Sequence, residues 1–252
     1  MTAKRNVTKE KSGYEPHQLT WSDEKVDRLW EYYSGCEAYR KEYFSYQAGR
    51  IVLDQIERYV DLRKFSAVLD YGCGPGFLIE ALLERMHEEQ KCYGLDFSRQ
   101  SVELVEEKFA GHRIYGGTVW TENLPSHYRD ESMDMVISLE VVEHLDDEKL
   151  KGMVREIYRL LRPRGYVAIT TRNRENLDRN KTLCPECGAI FHRWQHVRAW
   201  TATTLRRYME TCGFQTVHIV ESNFASKYQN LVKYFLKLFP HKKNSLLYIG
   251  IK

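Results

Sequence analysis

Three closely spaced glycines follow a short apolar run in the first third of the chain. They are Gly72, Gly74 and Gly76, in the spacing G-x-G-x-G. Asp70 lies two residues before the first of them. Glycine permits positive φ and lets the backbone lie directly against a ligand. Asp96 ends a second apolar run twenty residues beyond the last glycine, where a carboxylate can accept both hydroxyls of a ribose. The pattern predicts a nucleotide-type cofactor at a strand–turn–helix.

A second group of polar residues follows the apolar run at residues 134–139. It consists of Glu140, Glu143 and His144. If Glu140 begins a helical turn, the other two lie at i+3 and i+4, on the same face. Three roles are then open: His144 as a general base, all three residues as ligands of a divalent cation, or local capping of the helix. Of these, we favour His144 as the base.

Two cysteines and two histidines lie close together in the C-terminal third. Cys184, Cys187, His192 and His196 have the spacing C-x2-C-x4-H-x3-H. Paired cysteine and histidine side chains are typical ligands of tetrahedral zinc, so a structural zinc site is one interpretation. The linker between the pairs is shorter than in a zinc finger. Two alternatives therefore stay open: a reduced, metal-free cysteine pair with histidines lining a substrate pocket, or a catalytic zinc.

Strand-like and helical patterns alternate through the middle of the chain. Strands are predicted at 67–69, 92–95, 135–137, 166–170, 216–220 and 246–251, and helices at 77–87, 98–109, 147–161 and 201–212. This alternation predicts an α/β fold with a doubly wound, mostly parallel sheet. Its strands would bring Asp70, Asp96 and Glu140 to one crevice. Residues 173–200 fit neither period and are predicted to be an insertion.

The flanking segments are assigned from composition and aromatic spacing. Residues 1–20 are predicted to be a flexible tail, residues 21–62 to be helical, and residues 63–252 to form the main domain. Lysines at 227–243 alternate with apolar residues, which suits either a surface helix near a membrane or a helix packed on the sheet.

Length and composition limit the class of protein. The chain has 252 residues, of which 42% are hydrophobic and 29% charged, which suits one α/β domain with an appendage. No run approaches the roughly 18 apolar residues of a membrane span. The first twenty residues lack the apolar segment of a secretory signal, so we expect a cytoplasmic protein with reduced cysteines. From Arg172 onward there are 14 Lys and Arg against 5 Asp and Glu, which indicates an anionic partner or a solvated basic face.

Residues 60–222 resemble the class I S-adenosylmethionine-dependent methyltransferases. Two motifs show this resemblance: the acid before G-x-G-x-G and the acid at the end of the next strand. The resemblance implies a Rossmann-like fold with a seven-stranded sheet, and N-terminal helices that form a lid with Tyr43, Phe44 and Tyr46. For Tyr43, Phe44 and Tyr46, which are only candidates for this lid, ordinary packing in the core is the default interpretation. The resemblance also implies that Asp70 and the Gly72–Gly76 backbone hold the methionine part of the cofactor and Asp96 the ribose. The implied cofactor contacts are Asp70, Tyr71, Gly72, Cys73, Gly74, Gly76, Phe77, Asp96, Phe97, Trp120 and Leu139.

The part of the implied cofactor site that would hold adenine departs from this family's pattern. An acid often follows the third strand there, but Trp120 occupies the corresponding place. We expect adenine to stack on Trp120 or to use backbone groups and Glu122.

The Glu-x-x-Glu-His run resembles two branches of the same family. These are the ubiquinone-biosynthesis type of O-methyltransferase and the enzymes that methylate the terminal 2′-hydroxyl of small RNAs. The resemblance implies a Mg²⁺ or Mn²⁺ ion held by Glu140, Glu143 and His144 together with a later histidine. His196 is the candidate, so this residue can complete either that site or the zinc site.

We therefore expect a methyltransferase that acts on an oxygen, with nitrogen as second choice, of a small polar substrate that is anionic or glycosylated. The alternative is an RNA 2′-O-methyltransferase with a cation at Glu140, Glu143 and His144. A protein that binds the cofactor without catalysis is a third hypothesis. The substrate itself and the oligomeric state are not predictable from the residues.

Overall fold

The computed structural model describes residues 15–224 and 243–252. In chain order, the strands are β1 (His17–Gln18), β2 (Ala67–Tyr71), β3 (Lys91–Asp96), β4 (Tyr115–Trp120), β5 (Met133–Leu139), β6 (Leu161–Arg172), β7 (Lys181–Leu183), β8 (Ala189–His192), β9 (Gln215–Ser222) and β10 (Ser245–Ile251). The helices are α1 (Asp23–Gly35), α2 (Glu37–Arg40), α3 (Phe44–Ile56), α4 (Phe77–Leu83), α5 (Arg99–Phe109), α6 (Asp147–Leu160) and α7 (Ala202–Thr211), with 3-10 turns at Leu62–Lys64 and Leu177–Asn180.

Seven strands form one sheet in the order β4-β3-β2-β5-β6-β10-β9. Strands β4, β3, β2, β5 and β6 are parallel to one another, while β10 runs antiparallel to both β6 and β9. All five residues of β2 are buried, because helices cover both faces of a parallel sheet. The predicted doubly wound α/β fold is confirmed.

The hydrophobic core has two layers, one on each side of this sheet. Apolar residues of α3, α4 and α5 fill one layer, and those of α6 and α7 fill the other. The burial of apolar surface by both layers holds the strand ends in fixed positions. The side chains that follow those ends are therefore placed by the core.

Several element boundaries differ from the sequence predictions. The helical region predicted over 21–62 is divided into α1, α2 and α3 by short turns. Strand β4 carries no alternating pattern because it contains Gly116 and Gly117. Tyr93 of the neighbouring strand requires the first of these glycines, since a Cβ there would lie 2.3 Å from its ring.

The predicted N-terminal tail, residues 1–20, includes two residues that form strand β1. Residues 1–14 lie outside the described range, but His17 and Gln18 pair in parallel with Ala189 and Ile190 of β8. The physical reason is that β8 has a free edge, whose backbone groups bond the incoming chain. The lysine-rich helix predicted around 227–243 lies almost entirely outside the described residues.

The segment predicted as an insertion leaves and rejoins the main sheet at one point. Asn173 and Trp200 form an isolated bridge, and the Arg174 N–H donates to the Trp200 carbonyl at 2.7 Å. Between them, β7 and β8 form an antiparallel pair. The insertion therefore begins at the end of β6 and returns to the same place on the main sheet.

Within residues 15–224 and 243–252, no helix is long and apolar enough to cross a membrane.

The packing at Gly94 in β3 gives a test of this fold. A Cβ at this position would lie 2.4 Å from Thr118 Oγ1 and 2.9 Å from Ile79 Cδ1. We expect Gly94→Ala to lose about 1–3 kcal/mol of unfolding free energy through overpacking. Gly111→Ala is the matched control, because nothing lies within 4 Å of its added Cβ. Thermal unfolding checks both variants, and equal Tm values would contradict the packing of β3 against β4.

Candidate active site

The glycine loop between β2 and α4 is shaped by three left-handed residues. Gly72, Gly74 and Gly76 have φ of +77°, +49° and +82°. A Cβ on Gly72 would lie 2.6 Å from Val141 Cγ2, and one on Gly74 would lie 3.2 Å from the Tyr43 ring. Both the conformation and the close approach require glycine. The same distances show that the loop contacts the segment after β5 on one side and Tyr43 on the other.

The N–H groups of this loop bond within the protein. Those of Gly72 and Cys73 donate to the Leu95 carbonyl at 2.7 and 3.1 Å. The Gly74 N–H donates to Asp96 Oδ2 at 2.7 Å, while Ser98 N–H donates to Asp96 Oδ1 at 2.7 Å. These bonds fix the Asp96 carboxylate at the tip of β3. Its remaining lone pairs can still accept hydroxyl groups.

Asp70 is the second carboxylate of this region. Its side chain is buried, and its Oδ2 atom has no hydrogen-bond partner. Burial, together with the neighbouring Asp96, raises the pKa of Asp70 well above its usual range. A buried, unpartnered carboxylate is costly unless a cation or donor completes it. The site therefore fits a ligand that brings an ammonium group to the end of β2.

Aromatic residues surround the loop. Tyr43 and Tyr46 pack on Phe77 at ring distances of 6.2 and 5.1 Å. Burial raises the pKa of Tyr43 to about 12, and its hydroxyl lies 3.0 Å from Ser34 Oγ. The predicted lid residue Phe44 instead packs against Phe224, away from the loop.

The residues expected at the adenine end lie beyond β3 and β4. The Trp120 indole N–H donates to the Phe97 carbonyl at 3.2 Å, and the Arg99 guanidinium lies 5.0 Å from the Trp120 ring. Phe97 is 41% exposed and so is available to a ligand. The side chains of Tyr71, Cys73 and Leu139 are buried.

The segment after β5 is a tight turn and not the helical turn that the sequence analysis predicted for Glu140. Glu140 has a φ of +53°, and its N–H donates to the Thr170 carbonyl at 3.1 Å. The His144 N–H then donates to the Val141 carbonyl at 3.0 Å. The left-handed residue excludes a helix, but the turn still brings the acidic and imidazole side chains together.

Glu143 is fully buried in this turn. Its Oε2 accepts from the Thr171 hydroxyl at 2.9 Å, and its Oε1 has no partner. Burial, followed by the charge of Glu140, raises the pKa of Glu143. Burial also raises the pKa of Glu140, against the effect of Arg172, and Glu140 Oε1 is likewise unpartnered.

His144 lies beside these carboxylates and faces two other rings. Its ring centroid is 4.9 Å from Trp30 and 4.7 Å from His196. Burial, with the nearby His196, lowers the pKa of His144 to about 3, and its buried Nδ1 has no partner. His144 is therefore neutral near pH 7.

Two histidines of the insertion meet an acid that the sequence analysis did not single out. Glu175 Oε2 lies 2.5 Å from His196 Nδ1, and Glu175 Oε1 lies 3.5 Å from His192 Nε2. Burial alone would raise the pKa of Glu175, but the neighbouring imidazoles of His192 and His196 hold it well below its usual range. Burial lowers the pKa of His196, which Glu175 opposes.

Two sets of side chains in the described residues place three ligand atoms within 4.8 Å of one another. They are Glu143, His144, His196 and Glu175, His192, His196. Cys184 and Cys187 belong to neither set, so the structure does not bring the four residues of the C-x2-C-x4-H-x3-H pattern together. Backbone N–H groups of Cys187 and Glu186 lower the pKa of Cys184, and all six cysteines are free.

Hydrogen bonds to backbone carbonyls hold the insertion on the turn after β5. Val197 N–H donates to the Glu143 carbonyl at 2.9 Å, and Gln195 Nε2 donates to the His144 carbonyl at 2.8 Å. The Trp30 indole N–H bonds Gln195 Oε1 at 3.1 Å, so α1 covers the same place. Sequence reasoning missed Glu175, Thr171 and Gln195, because no motif or spacing connects them with the Glu140–His144 turn.

A family model described as a methyltransferase domain matches residues 39–219. The chain belongs to this methyltransferase family. The match includes the glycine loop, Asp96 and the turn after β5. It therefore supports an S-adenosylmethionine-dependent enzyme with the predicted Rossmann-like fold.

Individual relatives differ in the acceptor chemistry that their names state. A probable S-adenosylmethionine-dependent methyltransferase of Mycolicibacterium smegmatis is 30% identical over 59% of this chain and 51% of its own length. A ubiquinone biosynthesis O-methyltransferase of Idiomarina loihiensis is 27% identical over 69% and 67%. A phosphoethanolamine N-methyltransferase of Plasmodium falciparum is 25% identical over 96% and 89%. The chain spans about half the length of the first of these relatives, and the three names include both oxygen and nitrogen chemistry.

A solved structure shares the fold. It is a chain from a complex that contains the Haloferax volcanii Trm112 methyltransferase activator. The TM-score is 0.64 and the sequence identity is 17%, and the match covers 89% of this chain and 97% of that chain. At this identity the likeness concerns the fold alone.

The unpartnered carboxylate of Asp70 leads to a prediction about cofactor binding. Asp70→Asn keeps the shape of the side chain and removes the charge that would face the cofactor's ammonium group. We expect S-adenosylhomocysteine to bind at least tenfold more weakly, since an ion pair in a buried site exceeds about 1.4 kcal/mol. Because Asn removes an uncompensated buried acid, we expect no loss of Tm. Calorimetric titration and thermal unfolding check both points, and unchanged affinity would contradict the role of Asp70.

Proposed function

We propose that the protein transfers the methyl group of S-adenosylmethionine to an oxygen of a small, polar, anionic molecule, with a divalent cation at Glu143, His144 and His196. One observation carries this proposal. Val141 packs against Gly72 of the glycine loop and belongs to the turn in which Glu140 Oε1, Glu143 Oε1 and His144 Nδ1 are buried without hydrogen-bond partners. The acceptor would then lie between the cofactor and the candidate ligands.

The cofactor is assigned to the glycine loop. Asp70 and the loop carbonyls would accept the ammonium group, since the loop N–H groups are already bonded, and Asp96 would accept the ribose hydroxyls. Trp120 and the exposed Phe97 would contact adenine. Arg40 would bind the methionine carboxylate, since its Nε donates to the carbonyl of Ser34, whose hydroxyl meets that of Tyr43. The helical segment 21–62 would form the lid.

The cation is assigned from the chemistry of the ligand atoms. Glu143 Oε1 and His144 Nδ1 are buried without partners, and both residues belong with His196 to one set whose ligand atoms lie within 4.8 Å of one another. A divalent ion would offset the burial of these groups, each of which is costly alone. Two imidazoles and a carboxylate suit Mn²⁺ better than Mg²⁺, which prefers oxygen ligands. We place no zinc at Cys184 and Cys187, because His192 and His196 both face Glu175.

Each residue then has a defined part in the reaction. A bound cation would lower the pKa of the acceptor hydroxyl. Glu140 would accept the hydroxyl proton at its unpartnered Oε1 as the acceptor oxygen bonds the methyl carbon and the bond from that carbon to sulfur breaks. His144 serves as a ligand in this proposal and not as the base that the sequence analysis favoured, because burial makes its ring a weak base. The loop and the turn supply alignment of the acceptor, the methyl group and sulfur.

The relatives support a small acceptor over RNA. The three relatives above include a ubiquinone biosynthesis O-methyltransferase and a phosphoethanolamine N-methyltransferase, whose names specify no RNA. Arg172 lies close enough to the turn to affect the pKa of Glu140 and is the cation that we assign to an anionic acceptor.

Metal content separates the roles of the two carboxylates. We expect wild-type protein dialysed against Mn²⁺ to retain one equivalent, Glu143→Gln to lose it, and Glu140→Gln to retain it. Glu140→Gln should lower kcat by about 10²–10⁴-fold, the usual contribution of a positioned base. Cys184→Ser is the control and should keep the metal. Elemental analysis checks all four proteins, and metal that disappears with Cys184→Ser would contradict this assignment.

The acceptor class is tested with S-adenosylmethionine that carries a labelled methyl group. The enzyme is incubated with the small-molecule fraction or the total RNA of the same cells, at low and at high salt. We expect label in the small-molecule fraction at both salt concentrations. Label in RNA that disappears at high salt would instead indicate several phosphate contacts and an RNA substrate.

A further inference from the structure

His196 is shared by two sets of candidate ligands. One set adds Glu143 and His144, and the other adds Glu175 and His192. A neutral imidazole has one protonated nitrogen and one nitrogen with an available lone pair. His196 can therefore offer a cation one nitrogen only. The hydrogen bonds around Glu175 determine which nitrogen that is.

His192 has no lone pair to offer. Its Nδ1 accepts from the backbone N–H groups of Trp194 and His196, at 3.3 and 3.1 Å. Since Nδ1 is an acceptor, a neutral ring carries its proton on Nε2, which faces Glu175 Oε1 at 3.5 Å. A cation at Nε2 would have to displace that proton while Nδ1 also lacks one. The second set is thus a poor metal site.

Glu175 sets the tautomer of His196. Its Oε1 accepts from Asn180 Nδ2 at 3.1 Å, and its Oε2 lies 2.5 Å from His196 Nδ1. A carboxylate only accepts hydrogen bonds, so His196 carries its proton on Nδ1 and keeps the lone pair on Nε2. The His192 ring stacks on His196 at 4.4 Å and 20°, which fixes the plane of the ring.

We propose that Glu175 is a positioning residue that holds His196 with its Nε2 lone pair free for the Glu143 and His144 site, while His192 steadies Glu175 and is not a ligand. This inference rests on the cation site of the proposed function. A carboxylate behind a metal-bound imidazole fixes the ring and strengthens it as a ligand. The proposal assigns the second ligand set a supporting role.

The tautomers can be read directly in the metal-free wild-type protein. Ring ¹⁵N chemical shifts distinguish protonated from unprotonated nitrogens, and couplings to each Cβ assign the rings. We expect His196 to be protonated on Nδ1 and His192 on Nε2. A proton on Nε2 of His196, or on Nδ1 of His192, would overturn the proposal. This measurement needs neither metal nor turnover.

Glu175→Gln tests the consequence for binding. Its amide NH2 can donate to His196 Nδ1, which would move the ring proton to Nε2 and block the ligand. We expect the Mn²⁺ dissociation constant to rise about 10–100-fold, with the His196 tautomer reversed in the ¹⁵N spectrum. Affinity for S-adenosylhomocysteine should not change. Glu186→Gln, an exposed glutamate of the same insertion, is the control and should keep wild-type Mn²⁺ affinity.

The outcomes separate this inference from the cation site itself. If wild-type protein binds Mn²⁺ and Glu175→Gln binds it equally well, the positioning role is wrong and the cation site stands. If wild-type protein binds no Mn²⁺ while the tautomers are as expected, the cation site is wrong, and Glu175 still determines the protonation of His196. Should Glu175→Gln fail to fold, the wild-type tautomers decide the proposal.

Discussion

The burial of ionisable groups without partners is the constraint on which the site depends. Glu143 is buried and His144 is half-buried, with one buried oxygen and one buried nitrogen that lack partners. Asp70, just before the glycine loop, is buried with one unpartnered oxygen. Such groups cost free energy in the protein alone, and they become favourable when a ligand completes them. The positions of these atoms therefore indicate where an ammonium group and a divalent cation would bind.

The sheet explains why the two places adjoin. Strands β2, β3 and β5 are parallel and end at one edge, which collects Asp70, Asp96 and the Glu140–His144 turn. Strand β6 ends at the same edge and leads into the insertion. The insertion returns over the turn through bonds from Gln195 and Val197. One fold feature, the carboxyl edge of a parallel sheet, thus gathers residues that are far apart in sequence.

Much of the framework could be predicted from the sequence because it has local signals. The G-x-G-x-G spacing marked the loop, and the alternation of strands and helices marked the sheet. The conformation of Glu140 could not be predicted, since its positive φ is imposed by bonds to Thr170 of another strand. His192 and His196 matched a zinc spacing, but their partner is Glu175, which lies nine residues before Cys184 in a loop without a motif. Tertiary contacts of this kind produce no periodic pattern in the sequence.

The most direct test of the central claim is anomalous X-ray diffraction from crystals grown with Mn²⁺ and S-adenosylhomocysteine, recorded at the manganese absorption edge. The account requires an anomalous peak bounded by Glu143, His144 and His196 Nε2, next to the turn that contacts Gly72. A peak at Cys184 and Cys187, a peak between Glu175 and His192, or none in the protein interior would contradict it.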